Sequence, residues 1–412
     1  MKKTACSVNA PGRRGSWRRR SGRKGRCSKS VEKENFSHYI RCGQTMLRCG
    51  YTTGTCAALA AAGAARLLLS GETPSVVSLM TPKGLEVTAP LAEAVLLKVG
   101  AAARCAVRKD GGDDHDITSG MLVCATVEKS DRPGIRIDGG EGVGRVTKPG
   151  LDQPIGAAAI NSVPRRMIEE QVRSVCDELC CDGGVEVTIS IPGGAEAAAK
   201  TFNPLLGITG GLSILGTSGI VEPMSEQAIV DTIAVQQRQA AAGGAKELIL
   251  TPGNYGGDFL RDTGLDRAGV PVVKCSNFIG DALDIAVSLG FARILFVGHI
   301  GKLVKLAGGI MNTHSRYADC RTELICAHAA ICGADAALCR SLMACATTDA
   351  CIALLDAAGL REMVMASLLE AVQRHLERRT ADSCETGAVM FSNVYGLLGT
   401  TEKAKEILEQ WK

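Results

Sequence analysis

The sequence predicts an α+β N-terminal domain followed by an α/β domain with a parallel, Rossmann-like sheet and a helical C-terminal part. Three observations support this fold class. Over residues 47–205, strand-like runs outnumber helical ones and are joined by hairpin-length turns. Over residues 206–316, short apolar strands alternate with helix-length segments, which is the pattern of βαβ units. Residues 317–412 are Ala-rich and mainly helical, so we expect them to pack on the α/β domain.

Residues 1–46 form a basic extension that we predict to be disordered. They hold 13 Lys/Arg against two Glu, a net charge of +11, whereas the remainder of the chain carries −7. No apolar h-region follows the positive start, so a secretory signal is not predicted. One interpretation of the extension is a nucleic-acid-binding arm. The second is a solvated extension, or translated upstream sequence if the true start is Met46. Its lack of patterned aromatic residues favours the second interpretation, so we predict no nucleic-acid partner.

The N-terminal domain begins with a predicted helix from Cys56 to Leu69, closed by Gly71 and preceded by threonine hydroxyls that could cap it. A second helix is predicted from about Val163 to Leu179. The predicted strands of this domain are SVVSLM, LEVTAP, AVLLKVG, ARCAVRK, MLVCATVEK, GIRID and VEVTISIP.

The α/β domain is predicted from the strands ELIL, PVVK and RILFV, with helices between them and a further helix from about Lys302. Ligands of open parallel sheets lie beyond the carboxyl ends of the strands, where this chain has the loops TPGNYG, CSN and GHIGK. Ordinary turn glycines are the alternative interpretation. The candidate cofactor-binding residues are Thr251, Gly253, Asn254, Tyr255, Gly256, Asp258, Ser276, Asn277 and Gly298.

Three segments concentrate cationic side chains. GHIGKLVKLAGGIMNTHSR is the densest, GGEGVGRVTKPG is glycine-rich, and INSVPRRMI begins a helix. The glycine-rich segment lacks the G-K-[ST] ending of a P-loop, so nucleotide hydrolysis is not predicted. The absence of G-x-G-x-x-G likewise disfavours a nicotinamide enzyme. Solvated basic surface is the alternative interpretation for each lysine.

We predict neither a metal site nor a membrane span. KDGGDDHDIT could bind a divalent cation, but an acidic turn is the favoured interpretation. The 18 cysteines include no C-x-x-C pair, so we interpret them as packing residues in a reducing, cytoplasmic environment. No stretch approaches the roughly 20 apolar residues of a transmembrane helix.

Several of these segments together resemble the CbiD family, the cobalt-precorrin-5B C(1)-methyltransferases, over about residues 47–400. The resemblance rests on LRCGYTTGTCAALAAAGA, KDGGDDHDIT, GGEGVGRVTKPGL, INSVPRRMI, TFNPLLGITGGLSILGTSGIVEPMS, TPGNYG, KCSNFIG and GHIGKLVKLAGGIMNTHSR. It implies that S-adenosyl-L-methionine is the cofactor and that a cobalt-corrin small molecule is the substrate. The implied step methylates carbon 1 of cobalt-precorrin-5B, giving cobalt-precorrin-6A in anaerobic cobalamin biosynthesis.

The residues fit that reaction, because a substrate rich in carboxylates requires cations around its cavity. The candidate substrate-binding residues are Thr53, Thr55, Arg145, Lys148, Arg165, Arg166, Lys302, Lys305 and Arg316. Methyl transfer from a sulfonium needs no protonation of the leaving group, so positioning and desolvation can supply most of the rate. If a base adjusts the protons of the macrocycle, His299 or His314 is the candidate, with Glu141 or Asp258 behind them.

Two other functions remain open at this level. A non-catalytic corrinoid carrier would bind no S-adenosyl-L-methionine, and a nicotinamide-dependent corrin reductase would use a different cofactor. Whether the chain forms a homo-oligomer is also left open.

Overall fold

The computed structural model describes residues 36–42, 44–181, 183–265 and 269–411. Most of the predicted disordered extension, residues 1–35, lies outside the described residues. Its last part does not fit the prediction, because strands β1 (Tyr39–Cys42) and β2 (Thr45–Arg48) form an antiparallel hairpin. The Arg48 guanidinium holds it by donating to both carboxylate oxygens of Asp110, at 2.6 and 2.8 Å. This partner is far away in sequence, so composition alone concealed the hairpin.

The N-terminal part is built on a six-stranded sheet covered on one face by two helices. The sheet order is β4-β5-β6-β7-β10-β8, and all neighbours are antiparallel except β10 and β8. The elements are β3 (Gly50–Tyr51), α1 (Thr53–Ser70), β4 (Val76–Met80), β5 (Glu86–Lys98), β6 (Ala102–Arg108), β7 (Leu122–Ser130), β8 (Ile135–Gly139), β9 (Arg145–Val146), α2 (Ser162–Glu178), β10 (Gly184–Ser190) and α3 (Gly194–Ala198).

Helix α1 is the centre of the first hydrophobic core. Its Ala-rich sequence favours a helix, the Thr52 hydroxyl caps it by accepting from the Thr55 amide, and Gly71 ends it with φ 75°. Among the described residues, α1 is one helix with the length and apolar composition to cross a bilayer, but 83% of that stretch is buried inside the protein. The inner faces of the sheet strands pack against it.

The N-terminal part extends further than the sequence predicted. Strand β11 (Ile208–Thr209) pairs with β9, and β12 (Ile220–Val221) pairs with β3. The boundary predicted after residue 205 therefore moves to the segment between β12 and the next helix. These strands have two residues each, which is too short for a period-2 pattern to reveal.

The second part contains a five-stranded sheet of order β14 (Val272–Lys274), β13 (Glu247–Thr251), β15 (Arg293–His299), β16 (Glu385–Ser392) and β17 (Gly396–Thr400), in which only β17 is antiparallel. The alternation seen in the sequence is thus confirmed as helices connecting parallel strands. The elements before the C-terminal part are α4 (Glu226–Ala242), β13 (Glu247–Thr251), α5 (Gly256–Thr263), β14 (Val272–Lys274), α6 (Ile279–Ser288), β15 (Arg293–His299) and α7 (Ile300–Leu306).

The C-terminal part is mainly helical, as predicted, but it also supplies two strands that the sequence analysis did not identify. Its elements are α8 (Arg321–Ile331), α9 (Ala336–Met343), α10 (Thr348–Ala357), α11 (Arg361–Thr380), β16 (Glu385–Ser392), β17 (Gly396–Thr400) and α12 (Glu402–Gln410). Strand β16 lies beside β15 in the sheet, with His299 opposite Phe391. The segment ETGAVMFS gave a weak strand signal because its Gly and Ala residues have low β-propensity.

Residues Phe36–Lys412 form one compact unit with two main hydrophobic cores. The first surrounds α1 and the six-stranded sheet. The second fills one side of the parallel sheet, between its strands and helices α6, α7 and α8–α11. The carboxyl ends of four parallel strands consequently meet at one edge of the second sheet.

Candidate active site

The carboxyl edge of the parallel sheet brings together most of the predicted cofactor-binding residues. The loop Thr251–Gly256 follows β13, Ser276 and Asn277 follow β14, and Gly298 and His299 end β15. Phe391 and Ser392 end β16 beside them. The parallel register explains the convergence, since equivalent ends of adjacent strands lie at one edge.

Lys302 is the central cation of this edge. Its ammonium group donates to Asn277 Oδ1 at 2.6 Å and to the Ser276 carbonyl at 3.3 Å. Burial lowers the pKa of Lys302, the Cys275 thiol opposes that shift, and the nearby Lys274 and Lys305 lower the pKa further. Both hydrogen-bond acceptors are neutral, so a ligand carboxylate would supply the missing negative charge.

Asn277 is held in one orientation by two donors to the same oxygen. Its Oδ1 accepts from Lys302 and also from the Thr313 hydroxyl at 3.2 Å, while its backbone carbonyl accepts from the Thr313 amide at 3.0 Å. Ser276, just before it, has φ 53°, a conformation that non-glycine residues seldom adopt. Strain of this kind is concentrated at ligand sites, where the surrounding contacts maintain it.

The loop after β13 approaches Lys302 closely. Gly253 has φ 86°, and a Cβ atom there would lie 3.2 Å from Lys302 Cε and 3.3 Å from Nζ. A Cβ at Gly256 would lie 2.7 Å from the Cβ of Thr251, so this turn also requires glycine. Asn254 accepts a hydrogen bond from the Lys274 ammonium. The loop therefore lies beside two cations, Lys274 and Lys302, at this edge.

His299 caps helix α7 at the centre of this edge. Its Nδ1 accepts from the Gly301 amide at 3.1 Å, and its ring lies edge-on to Phe391, with the centroids 5.7 Å apart. The ring of Tyr255, a residue that is 55% exposed, is tilted relative to the His299 ring, with the two ring centroids 5.9 Å apart. Burial lowers the pKa of His299, against the opposing charge of Asp349. Because Nδ1 accepts a hydrogen bond, the neutral ring carries its proton on Nε2.

The sequence gave no indication of several neighbours of this site. Asp349, on α10, accepts a 2.7 Å hydrogen bond from the Ser392 hydroxyl at the end of β16. Phe391 and Ser392 were missed because β16 was not recognised as a strand. Thr313 was missed because its only signal was its position in a polar loop.

Three predicted substrate cations are bound within the protein. The Lys305 side chain is 3% exposed and donates to the carbonyls of Thr313 and Ala318 at 3.1 and 2.8 Å. Arg145 binds both carboxylate oxygens of Asp138, at 2.7 and 2.9 Å. Arg165 donates to three backbone carbonyls, and burial lowers its pKa. These cations therefore tie elements of the fold together.

The hydroxyls of Thr53 and Thr55 are also used internally. Thr53 donates to the Leu215 carbonyl at 3.3 Å and Thr55 donates to the Gly219 carbonyl at 2.7 Å. Both threonines are buried, so they attach α1 to the loop that precedes β12.

Three further predicted residues lie on the surface. Arg166 is 63% exposed and 4.0 Å from Glu170, and Lys148 donates to the Leu205 carbonyl at 3.3 Å. Asp258 pairs with Arg261 on α5.

Arg316 and His314 lie on the loop that follows α7. Arg316 pairs with Glu226, the first residue of α4. The Nδ1 atom of His314 accepts from the Arg316 amide at 3.2 Å, so His314 has the same tautomer as His299 when neutral.

Two of the four aspartates in the acidic stretch 110–116 form ion pairs. Asp110 binds Arg48, and Asp116 binds the buried ammonium of Lys109 at 2.6 Å. Within the described ranges, no group of three or more His, Cys, Asp or Glu is arranged to hold a metal ion.

A cavity of about 410 Å³ lies at the opposite edge of the parallel sheet. It is lined by the first residues of β15 and β16 together with charged groups of both signs, among them Arg293, Glu377 and Lys403. It lies away from the strand ends that carry the converging loops, so we do not assign it to the candidate site.

Comparison with known proteins identifies the family. A family model described as CbiD matches residues 40–223, and one described as CbiD, C-terminal domain, matches residues 312–402. A curated relative from Ruminiclostridium cellulolyticum is 44% identical over 376 residues, covering 88% of this chain and 96% of its own length. A second, from Alkaliphilus metalliredigens, is 41% identical and covers 91% of this chain and 97% of its own length. This chain belongs to the CbiD family.

Both of these CbiD relatives are named cobalt-precorrin-5B C(1)-methyltransferase. The family match begins at residue 40, within the β1–β2 hairpin that the sequence had assigned to a disordered extension. A solved structure, that of a cobalamin biosynthesis protein (cbiD) from Archaeoglobus fulgidus, is 30% identical, covering 66% of this chain and 83% of its own. Its TM-score of 0.36 is too low for a comparison of site geometry.

Proposed function

We propose that this chain transfers a methyl group from S-adenosyl-L-methionine to carbon 1 of cobalt-precorrin-5B, giving cobalt-precorrin-6A in cobalamin biosynthesis. The observation that carries this is its match to curated enzymes of that name over nearly their whole length. The chain is therefore a methyltransferase, and S-adenosyl-L-methionine is its methyl donor. The cytoplasm, where such a biosynthetic enzyme would act, remains the location we predict.

The second domain is Rossmann-like in our proposal, and its carboxyl edge binds the cofactor. Four parallel strands in the order β14-β13-β15-β16 support this, because ligands of such sheets lie beyond the carboxyl ends. Lys302 would bind the carboxylate of the methionine moiety, since its present acceptors are neutral. The Gly253–Gly256 loop, with its exposed residues Asn254 and Tyr255, would contact the adenosine moiety.

The corrin carboxylates require cations that the fold does not already use. Arg145, Arg165 and Lys305 are engaged by internal partners, which argues against them. Arg166 is exposed, and Lys148 contacts only a carbonyl among its described hydrogen bonds, so both suit a multiply charged ligand. We therefore assign the substrate side to the N-terminal part.

In methyl transfer the carbon–sulfur bond of the sulfonium breaks as the bond to carbon 1 forms, and the sulfur leaves as a neutral thioether. No group on the enzyme has to protonate that leaving group, so positioning and exclusion of water carry the catalysis. The tautomers of His299 and His314 make either a poor base, because the Nδ1 lone pair is used and Nε2 holds the proton. We propose His299 instead as a hydrogen-bond donor at the reaction site.

Calorimetric titration of the full chain with S-adenosylhomocysteine, followed by a methyl-transfer assay with cobalt-precorrin-5B, tests the proposal. A methyltransferase binds the first compound and converts the second to a product one methyl group heavier. A corrinoid carrier would bind the corrin without binding S-adenosylhomocysteine. A reductase would neither methylate the corrin nor bind S-adenosylhomocysteine, and it would instead bind a nicotinamide nucleotide.

A further inference from the structure

The six-stranded sheet of the N-terminal part has a second face, turned away from α1 and α2. Its inner-face residues, such as Ala103 and Ala125, are buried in the first hydrophobic core. Because side chains alternate along a strand, Arg104, Thr126 and Thr188, which lie opposite one another on β6, β7 and β10, project from the other face. We define the outer polar patch as Arg104, Thr126, Thr188 and Ser190.

Arg104 is a cation to which the fold gives no anionic partner. Its one described hydrogen bond runs from Nη2 to the Cys124 sulfur at 3.1 Å, and a thiol is a weak acceptor. The carboxylates of Glu93 and Glu141 act on its charge, but neither comes within 4.0 Å. The Nε atom is buried without an acceptor, whereas Nη1 has no described partner and is not enclosed by the protein. Because buried donors are nearly always satisfied, this guanidinium lacks an acceptor that a ligand could supply at Nη1.

Three hydroxyls on the same face are also unused. Thr126 lies directly opposite Arg104, Thr188 lies opposite Thr126, and Ser190 follows two residues along β10. None of the three hydroxyls forms a hydrogen bond with a described residue, and all three residues are partly exposed. Since neighbouring strands are about 4.8 Å apart, Arg104 and Thr188 are separated by roughly 10 Å. A ligand lying across these strands could therefore accept from the guanidinium and from the hydroxyls together.

The glycine-rich loop after β8 borders the outer polar patch. A Cβ atom at Gly140 would lie 2.7 Å from Ser190 Oγ and 2.9 Å from Thr188 Cγ2, so the loop packs closely against these side chains. Asp138 lies opposite Thr188 on β8, and Arg145 binds both of its carboxylate oxygens. The acidic residue nearest in register is therefore already neutralised, and it does not repel an anion bound beside it.

We propose that the outer polar patch binds a carboxylate of the corrin substrate and that Arg104 is the cation that receives it. The inference rests on the proposed function, which makes a carboxylate-rich corrin the ligand. Charge complementarity selects this occupant, because a guanidinium binds a carboxylate through short, charge-assisted hydrogen bonds and the adjacent hydroxyls donate to the same kind of oxygen. Arg104 thereby joins Arg166 and Lys148 as a cation of the N-terminal part that remains available to the substrate.

Binding of cobalt-precorrin-5B to the full chain, measured without S-adenosyl-L-methionine so that no turnover occurs, tests the patch. Arg104→Met should weaken the binding by about 10- to 150-fold, because hydrogen bonds to a charged group are lost. Arg104→Lys keeps the charge without the planar fork and should fall between Arg104→Met and the wild type. Both variants should bind S-adenosylhomocysteine as tightly as the wild type does.

Arg136→Met is the matched control. Arg136 lies on the same face of the sheet, on β8, but it donates to the Glu186 carboxylate at 2.7 Å, so the fold already uses it. Its replacement should leave the affinity for the corrin unchanged.

Denaturant unfolding separates substrate binding from a structural role. Because a partly buried guanidinium without an anion costs the fold free energy, Arg104→Met should be at least as stable as the wild type. Equal corrin affinity in Arg104→Met and the wild type overturns the inference, and methyl transfer by the wild type would still support the proposed function. Lower stability of Arg104→Met together with wild-type affinity in Arg104→Lys also overturns it, since Arg104 would then be structural. If the wild type binds the corrin without methylating it, the proposed function fails, while weaker binding by Arg104→Met would still support the patch as the place where the corrin binds.

Discussion

At the residue scale, a substitution of Lys302 tests whether the carboxyl edge of the parallel sheet binds the cofactor. Lys302→Met removes the ammonium group and keeps most of the side-chain length. We expect S-adenosylhomocysteine to bind roughly 10- to 150-fold more weakly, since a hydrogen bond to a charged group contributes about 1.5–3 kcal/mol. Calorimetric titration measures the change.

Lys246→Met is the matched control, because Lys246 is an exposed lysine just before β13, at the opposite edge of the same sheet. The affinity of Lys246→Met for S-adenosylhomocysteine should equal that of the wild type. Equal affinities in the wild type and in Lys302→Met would remove Lys302 from the cofactor site. Denaturant unfolding of both variants checks that neither has lost its fold.

His299 should make stability depend on pH. Burial lowers its pKa in the folded protein, so between that value and the ordinary histidine pKa of about 6.5 the unfolded chain binds more protons. The free energy of unfolding should therefore fall as the pH is lowered through this window. His299→Asn keeps a side chain able to cap α7 but does not titrate, so it should lose less stability on acidification.

Denaturant unfolding at pH 7.5 and at successively lower values, in about half-unit steps, measures this difference. His328 also has a pKa lowered by burial, but it is present in both proteins and cancels in the comparison. The same pH dependence in the wild type and the variant would contradict the assignment to His299.

At the scale of elements, Arg165 joins the start of α2 to β8 and to the chain segment before α2. It donates to the carbonyls of Ile137 and Ile160 at 2.8 and 2.9 Å, and to that of Ala158 at 3.4 Å. Arg165→Met removes the side-chain donor from all three carbonyls, so the free energy of unfolding should fall by about 2–4 kcal/mol. Arg166→Met, one residue later and exposed, should change it by less than about 0.5 kcal/mol.

Thermal or denaturant unfolding distinguishes these two variants, and steady-state kinetics adds a second measurement. If Arg165 instead contacts the substrate, Arg165→Met would lower kcat/KM while leaving stability unchanged. We expect Arg166→Met to raise the KM for the corrin and to leave the free energy of unfolding nearly unchanged, whereas Arg165→Met should mainly lower the free energy of unfolding.

Elements with strong periodicity were predictable from sequence, and elements defined by distant partners were not. The parallel strands β13 and β15 are continuous apolar runs, and α1 is an Ala/Leu helix with both ends marked. Strands β11 and β12 exist only because they pair with β9 and β3. Two residues carry no pattern of their own, so their assignment depends on a fold that is already known.

The candidate site shows the same division. Loops after parallel strands can be placed at one edge from topology alone, and Asn277 and Lys302 do meet there. Which cations are available to a ligand could not be read from sequence, because Arg165 and Lys305 bind backbone carbonyls that only the tertiary structure brings near. Composition therefore supplied a set of cationic candidates, and the structure shows that the fold itself uses Arg165 and Lys305.

At the scale of the whole molecule, the N-terminal limit of the fold can be tested with two truncations. A chain starting at residue 36 keeps the β1–β2 hairpin, whereas a chain starting at Met46 loses β1. The second also loses the Phe36 ring beside Tyr51 and the His38 carbonyl that accepts from the Cys49 amide at 2.8 Å. We expect it to be less stable by about 1–3 kcal/mol.

The chain starting at residue 36 should match the full chain in stability, in S-adenosylhomocysteine affinity and in methyl transfer, because the family match begins only at residue 40. Differential scanning calorimetry and titration of the three proteins measure these quantities. Equal stability of the two truncated chains would mean that residues 36–45, and with them the hairpin, add nothing to the stability of the fold. A loss confined to the shorter chain would instead place the start of the folded protein upstream of Tyr39, where Phe36 packs against the first core.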